Sequence, residues 1–216
     1  MTRQFVAIAC AALVLATASL APAAWNTDVN VNTAISTQPN EQGQPKIRPT
    51  ADGGCFISWL GGVADGHDTY VQRLDRLGNL LFTPPGVLVV DTSFSSSQDY
   101  GFEVDTATGN AWVAFRDDRF GGQVVAANGV SPAGALLWGV NGVQLADSTN
   151  GNAPRLAVLP DGIVVGWSVG SVVRLQKLDA TGSPMWGAGI VETPSGSFTY
   201  SLADLRPSED GGVIAL

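Results

Sequence analysis

The alternation of apolar and polar residues predicts short β-strands along most of the chain. The segments TYVQRL (69–74) and VVRLQKL (172–178) alternate, which is typical of strands with one face in solvent. The segments CFISW (55–59) and IVVGW (163–167) are continuously apolar, as strands covered on both faces are. Asp-Gly and Gly-Gly pairs separate the strands, and glycine accepts the positive φ that hairpin turns need. After residue 23 no segment has an apolar stripe of helical period, so the pattern predicts an all-β fold.

Two short phrases recur at a nearly constant spacing. One is a turn followed by an apolar strand with an aromatic residue near its end, and the other is a Gly turn that runs into an aromatic residue. The aromatic positions are Trp59, Phe115 and Trp167 for the first phrase, and Phe82, Trp138 and Trp186 for the second. Their spacings are 56 and 52 residues in the first phrase and 56 and 48 in the second. Two landmarks with the same order and period indicate a structural repeat.

Each repeat reads as four short strands, which is the organisation of a β-propeller blade. In the first unit we predict strands at 46–48, 55–59, 69–74 and 80–82, the last continuing towards 87–90. One blade cannot bury both of its faces, so the repeated aromatic residues are interpreted as packing between blades; a sugar-stacking platform is the alternative. The prediction is an all-β, β-propeller-like array of four-stranded antiparallel blades, incomplete at about 3.5 units. The units span 45–99, 100–152, 153–199 and a truncated 200–216.

The N-terminus has the three parts of a secretory signal peptide. Arg3 supplies the positive charge, an apolar run covers 5–16, and Ala21-Pro-Ala23 is a small-residue cleavage pattern. This run is shorter than the roughly 20 apolar residues that span a bilayer. We predict a signal peptide over 1–23, cleavage before Ala24, and a secreted or periplasmic mature chain without a membrane span. A buried core helix is the alternative, and it leaves the charge and the cleavage pattern unexplained.

The two ends of the mature chain resemble parts of a unit. WNTDVNVN (25–32) is similar to WGVNGVQL (138–145), so residues 24–44 are predicted to be an outer strand, which completes the last blade of a propeller, and a linker. At the other end, Leu216 falls in mid-strand, before the aromatic residue that the repeat predicts. The sequence is therefore expected to be a fragment of a longer array.

The phrase Leu-Asp-x-x-Gly-x-x-x-Trp carries a family resemblance. It stands as QKLDATGSPMW at 176–186 and, with Phe for Trp, as QRLDRLGNLLF at 72–82. It resembles repeats of exported bacterial β-propeller proteins and the tryptophan-docking repeat of pyrroloquinoline-quinone-like propellers. The resemblance covers most of residues 45–216 and implies that Asp and Gly shape a turn while Trp docks between blades. The spacing is longer than in quinone-type units, so the resemblance implies architecture and no quinone cofactor.

The net charge limits the classes of partner, and the cysteine content limits the disulfides that the chain can form. The formal net charge is −8, which argues against nucleic acid and anionic lipid, since both require clustered Lys and Arg. Without the signal peptide Cys55 is the single cysteine, so no intrachain disulfide is possible, and its apolar neighbours indicate a buried residue.

Four motifs have residue types that are typical of catalytic or metal sites. Gly166-Trp-Ser-Val-Gly170 matches a nucleophile elbow, but a strand pattern follows it and no His follows in the chain, so a hairpin turn is the better interpretation. The candidate metal ligands are Asp65, His67, Asp68, Asp117 and Asp118, each with a polar turn as the alternative. Asp28, Asn30 and Asn32 place oxygen ligands at alternate positions, yet the Gly and the acid of a calcium loop are missing. The sequence predicts no cofactor, and calcium is the alternative.

The pattern supports an exported non-enzymatic module, a binding or structural scaffold at or outside the cell envelope. A protein or a cell-surface glycan is the expected partner. The alternative is a carbohydrate-active propeller enzyme with its catalytic acids in blades beyond those given, because such acid pairs are assembled from distant loops. A purely structural repeat of an envelope or adhesion protein is a third hypothesis. No catalytic residue is assigned.

Overall fold

The computed structural model describes residues 25–216 except residues 27, 29, 65, 95–99, 120, 121 and 147. The predicted signal peptide lies outside the described residues. The regular elements of the described part are β-strands only: β1 (Gln42–Pro49), β2 (Cys55–Val63), β3 (Gly66–Leu74), β4 (Val87–Phe94), β5 (Gly101–Val104), β6 (Ala111–Asp117), β7 (Val124–Val130), β8 (Val143–Gln144), β9 (Asn152–Leu159), β10 (Gly162–Val169), β11 (Val172–Leu178), β12 (Ile190–Glu192), β13 (Leu205–Pro207) and β14 (Val213–Ala215). Within these residues no helix has the length and apolar character needed to cross a membrane.

The strands form successive antiparallel sheets in chain order. Unit one is the sheet β1-β2-β3-β4, unit two is β5-β6-β7-β8, unit three is β9-β10-β11-β12, and unit four is the pair β13-β14. Each strand pairs with its neighbour in sequence, as tight turns between short strands allow. The structure thus confirms the predicted all-β fold with four-stranded antiparallel blades.

The fourth strand of each complete unit differs from the prediction. In unit one it begins at Val87, and Leu80 forms only an isolated bridge with Leu74. The same isolated bridge joins Val130 to Leu136 in unit two and Leu178 to Pro184 in unit three. We call the segment that runs from the Gly turn into Phe82, Trp138 or Trp186 the aromatic phrase. The Gly turn brings this aromatic phrase back across the end of the third strand before the fourth strand begins.

The apolar core lies between adjacent sheets. The cluster between units one and two includes Phe56, Phe82 and Phe115, and the next cluster joins Trp112 of unit two to Trp167 of unit three. A third cluster joins unit three to Leu205 of unit four. The first strands of neighbouring units, β1 with β5, β5 with β9 and β9 with β13, contact one another. Each unit thus shields a face of the next, which is how propeller blades gain stability.

Candidate functional site

A buried amide on the third strand holds the aromatic phrase in every complete unit. The amides are those of Gln72, Asn128 and Gln176, and their side-chain oxygens accept the backbone N–H groups of Phe82 (3.0 Å), Trp138 (3.2 Å) and Trp186 (3.2 Å), respectively. Their amide nitrogens donate to backbone carbonyls of the same phrase, those of Phe82 (3.0 Å), Gly139 (2.8 Å) and Gly187 (3.0 Å). Each amide thus satisfies backbone groups that the chain leaves unpaired as it turns back.

In units one and two the held aromatic ring docks on the Gly turn of the following unit. The Trp138 ring contacts the position of Gly182, and its Nε1 donates to the Ala180 carbonyl at 3.0 Å. Trp25 contacts the position of Gly78 in the same way, and its Nε1 donates to the Arg76 carbonyl at 3.1 Å. Gly78 and Gly182 have φ of 84° and 85°, so a side chain at either position would be strained. A Cβ atom would clash with the Trp25 indole at Gly78 and with the Val143 side chain at Gly182, where the Trp138 indole is also close.

The Phe82 ring docks on Gly134 of unit two, but a phenyl ring has no N–H group like that of the indole. The carbonyl at the corresponding place in that turn belongs to Pro132, and it accepts Nη1 of Arg73 at 2.9 Å instead. The Arg73 guanidinium also pairs with Asp52 at 2.6 Å and lies 5.6 Å from the centre of the Phe56 ring. An arginine from the neighbouring strand therefore replaces the hydrogen bond that tryptophan makes in the other units.

The turns themselves are held by aspartate. Oδ1 of Asp75 accepts the backbone N–H groups of Leu77 and Asn79, and Oδ1 of Asp179 accepts those of Thr181 and Ser183. Hydrogen bonding, chiefly from the Asn79 side chain at Asp75 and the Thr181 side chain at Asp179, lowers the pKa of both carboxyls. These interactions favour the ionised form.

The other repeated aromatic residues face the preceding unit. Trp59, Phe115 and Trp167 lie at the same register on the second strand of each unit and are almost fully buried. Trp59 stacks on Tyr70, with ring centres 5.8 Å apart, and its Nε1 donates to Gln38 at 3.3 Å. Unit one is thus covered on this face by the N-terminal segment rather than by another sheet.

Charged residues of the first strands join neighbouring units. Arg48 of β1 forms two 2.8 Å hydrogen bonds with the Glu103 carboxylate of β5, and Nζ of Lys46 donates to the Tyr100 carbonyl at 2.6 Å. The hydrogen bonds that Arg48 donates to Glu103 raise the pKa of Arg48. Nε of Arg155 on β9 donates to the Ala203 carbonyl at 2.8 Å. These cations are therefore engaged in contacts between units.

Three of the predicted metal-ligating residues, His67, Asp68 and Asp117, contact other side chains. His67 lies in β3 with Nε2 3.8 Å from a Glu41 carboxylate oxygen, and the buried Asp68 lies 3.4 Å from the Tyr70 hydroxyl. Asp65 falls outside the described residues. Among those that the structure describes, no group of three or more His, Cys, Asp or Glu side chains is placed to hold a metal ion.

Asp117 is fully buried and forms an ion pair. Its Oδ2 lies 2.6 Å from Nη2 of Arg119, and its Oδ1 accepts the Arg119 backbone N–H at 2.9 Å. These hydrogen bonds raise the pKa of Arg119. Arg119 also donates to the side chain and carbonyl of Asn141 at 3.2 Å each. The neighbouring Asp118 is half-buried. The pair fixes the loop between β6 and β7.

Two further motifs have structural roles. Ser168 of the Gly-x-Ser-x-Gly match lies within β10, and its buried hydroxyl accepts the Leu202 N–H at 2.8 Å. A strand interior lacks the sharp turn that exposes a catalytic serine. Cys55 is a free, buried thiol, and burial raises its pKa.

The connections between second and third strands vary although the sheets do not. Two residues separate β2 from β3 and β10 from β11, whereas six separate β6 from β7. We call the sheet edge with these three connections the variable edge. Glu41 and His67 lie at this edge in unit one, and Asp117 and Arg119 in unit two. Repeat proteins often place their binding loops on such an edge.

An apolar groove lies between unit three and unit four. Its volume is about 780 Å³, and it is lined by residues of β11, β12 and β14 together with Trp186, Tyr200 and Leu202. Trp186 is half-buried, and both Trp186 and Val213 of β14 pack against the core cluster that joins unit three to Leu205. Val213 follows the Ser208–Gly212 turn as Cys55 follows the Thr50–Gly54 turn, since the same backbone hydrogen bonds close both turns. Ile190 and Tyr200 expose 39% and 45% of their surface beside this groove, so it opens to solvent.

Neither a protein-family model nor a curated protein matches this chain. A solved structure similar to it is that of regucalcin, a calcium-binding protein from Agrobacterium tumefaciens, with 16% sequence identity and a TM-score of 0.41. The match covers 78% of this chain and 51% of the regucalcin chain, so this chain spans about half the length of that protein. At this level of similarity the comparison carries no argument about function, and the propeller-like fold rests on the sheets and the contacts between them.

Proposed function

We propose that this chain is an exported, non-enzymatic β-propeller module that presents the variable edge to a protein or a cell-surface glycan at or outside the cell envelope. The observation that carries the proposal is the contrast between constant sheets and variable connections. The buried amides and docked aromatic rings repeat from unit to unit, while the loops at the variable edge differ in length and charge. Such a division supports a rigid scaffold with adaptable loops.

The polar chemistry of the described residues also supports a scaffold. Arg48 and Glu103 join two units, and Asp117 with Arg119 fixes a loop. Calcium binding has no support in the placement of these groups, because Asp117 is already satisfied by Arg119. The pyrroloquinoline-quinone-like repeat remains a resemblance of turn and tryptophan, which supports architecture alone.

Export is tested by expressing the full chain with its own N-terminus in a bacterial host. We expect the protein outside the cytoplasm, and N-terminal sequencing should give a chain that begins at Ala24. A full-length chain that stays in the cytoplasm and retains Met1 would contradict export.

Binding is tested on the processed chain with an array of glycans and envelope proteins, beside a panel of chromogenic glycosides. Retention of one ligand class without turnover is the expected result. Replacing the half-buried Asp118 with Lys, at the variable edge, should alter binding while the melting temperature stays constant. Release of the chromophore above the rate without protein would favour the carbohydrate-active enzyme instead.

A further inference from the structure

Trp186 is held like the aromatic residues of the other complete units, but among the described residues no Gly turn of a next unit lies against its ring. Gln176 holds its backbone as Gln72 holds Phe82 and Asn128 holds Trp138. Phe82 and Trp138 each rest on the Gly turn of the next unit. Trp186 instead packs against the core cluster that joins unit three to Leu205, and it lines the groove between units three and four.

The missing contact has a defined chemistry. In units one and three the docked indole lies against a glycine of positive φ, and its Nε1 donates to the carbonyl two residues before that turn's Gly78 or Gly182. Both turns are Asp-x-x-Gly at the end of a third strand. In each complete unit this third strand pairs with the second, and Cys55 opposite Leu74 and Ile163 opposite Leu178 mark the register.

Unit four supplies part of this arrangement. Its described strands are β13 and β14, and β14 pairs with β13 alone among them. Val213 occupies the place of Cys55 and Ile163, so a third strand would lie along the other edge of β14. The groove is lined by Val213 and Ala215 of β14, and Leu175, Trp186 and Ile190 of unit three give it an apolar wall. It continues the core that already joins unit three to Leu205.

We propose that the groove beside Trp186 binds an extended strand that ends in an Asp-x-x-Gly turn, a segment of this same repeat type. The strand pairs with the free edge of β14, and its residue before Asp lies opposite Val213. The turn glycine lies against the indole, and the carbonyl two residues earlier accepts Nε1 of Trp186. Main-chain pairing with a sheet edge is an established mode of peptide recognition.

A folded second copy of the chain is not the occupant that fits. Its Asp-x-x-Gly turns at 75–78 and 179–182 are already covered by Trp25 and Trp138. The turn at 131–134 is covered by Phe82 and Arg73. The groove therefore suits a segment whose turn is uncovered.

The probe is a fluorescein-labelled synthetic peptide of residues 69–81, TYVQRLDRLGNLL, whose binding to the processed chain is followed by anisotropy. We expect saturable binding, weakened about tenfold or more by Trp186→Ala, since a buried tryptophan is commonly a binding hot spot. Trp186→Phe, which keeps a ring but loses the N–H, should give a smaller loss. The control Val140→Ala shortens a side chain that is 73% exposed and should leave binding unchanged.

A second peptide tests the turn. Valine in place of Gly78 is strained at positive φ and clashes with an indole, so this peptide should bind about tenfold more weakly. The proposal would be overturned if the 69–81 peptide bound equally well to wild type and to Trp186→Ala, with both proteins shown to be folded by circular dichroism. The lack of binding at about 1 mM peptide, or an oligosaccharide that competes for the groove in a Trp186-dependent manner, would also overturn it. These results are independent of export and of ligands at the variable edge.

Discussion

At the scale of the residue, the buried polar side chains of Gln72 and Asp117 satisfy backbone groups or an opposite charge. Gln72 is fully buried and pairs with both backbone groups of Phe82. Asp117 is fully buried beside Arg119, whose side chain is 24% exposed. A buried group that loses its partner costs free energy even when the pair itself contributes little.

Asp117→Asn should therefore lower the free energy of unfolding by about 1–3 kcal/mol, because it removes the charge that offsets Arg119. Urea denaturation of the processed chain measures the loss. The adjacent Asp118→Asn changes a half-buried carboxylate and should stay within about 0.5 kcal/mol of wild type. Equal losses in the two variants would show that burial of the Asp117 pair has no energetic consequence.

At the scale of the element, the contact between a docked aromatic ring and the next turn is preserved while its hydrogen-bond donor changes. Trp138 donates through its own indole, whereas Phe82 depends on Arg73 from the neighbouring strand. The two donors serve backbone carbonyls at equivalent places in two turns, that of Ala180 in unit three and that of Pro132 in unit two. This equivalence predicts that one donor can substitute for the other.

Phe82→Trp should reduce the loss in the free energy of unfolding that Arg73→Met causes. Alone, Arg73→Met is expected to cost about 1–3 kcal/mol, since it leaves the Pro132 carbonyl without its donor. In the Phe82→Trp background the cost should fall by about 1 kcal/mol, as measured by a double-mutant cycle in urea.

The matched control for this cycle is Asp52→Asn, which removes the exposed partner of Arg73 without touching Pro132. Its effect should add to that of Phe82→Trp within about 0.5 kcal/mol. Additivity of Arg73→Met with Phe82→Trp would contradict the exchange of donors.

At the scale of the whole molecule, acidic turns in units one, three and four respond to pH in the same direction. The pKa is lowered at Asp52 by Thr50, at Asp75 by Asn79, at Asp179 by Thr181 and at Asp210 by Ser208, in each case chiefly through a side-chain hydrogen bond. A folded-state pKa below the unfolded value means that the unfolded chain binds protons more readily in acid.

The stabilisation from these turns is thus fully present above the unfolded aspartate pKa of about 3.9 and is lost as pH falls through the lowered folded values. Urea denaturation should give a nearly constant stability from about pH 7 to pH 5 and a decline below about pH 4. The double variant Asp75→Asn/Asp179→Asn should decline less. Two results would refute the role of the turns. One is a double variant whose stability declines in acid as much as that of wild type, and the other is a wild type as stable at about pH 3 as at pH 6.

Much of the fold follows from local sequence. The alternation at 69–74 and the apolar run at 55–59 fix strand character, because the side chains of a strand point alternately to its two faces. The Asp-x-x-Gly phrase fixes a turn, because its aspartate bonds to the backbone close by and its glycine takes positive φ. The aromatic spacing predicts that these parts stack as units. For these features the sequence alone was sufficient.

Other features depended on which strands lie side by side. In the sequence, Gln72 and Gln176 look like ordinary polar residues of an alternating strand. In the structure, each is buried and accepts the backbone N–H of the aromatic residue ten positions later. Arg73 reaches Pro132 across 59 residues of chain. Their partners are set by strand register and by the stacking of one sheet on the next, which a local pattern does not encode. The sequence by itself therefore determined strands, turns and repeat, and the tertiary structure decided which polar groups join the units and which groove stays open.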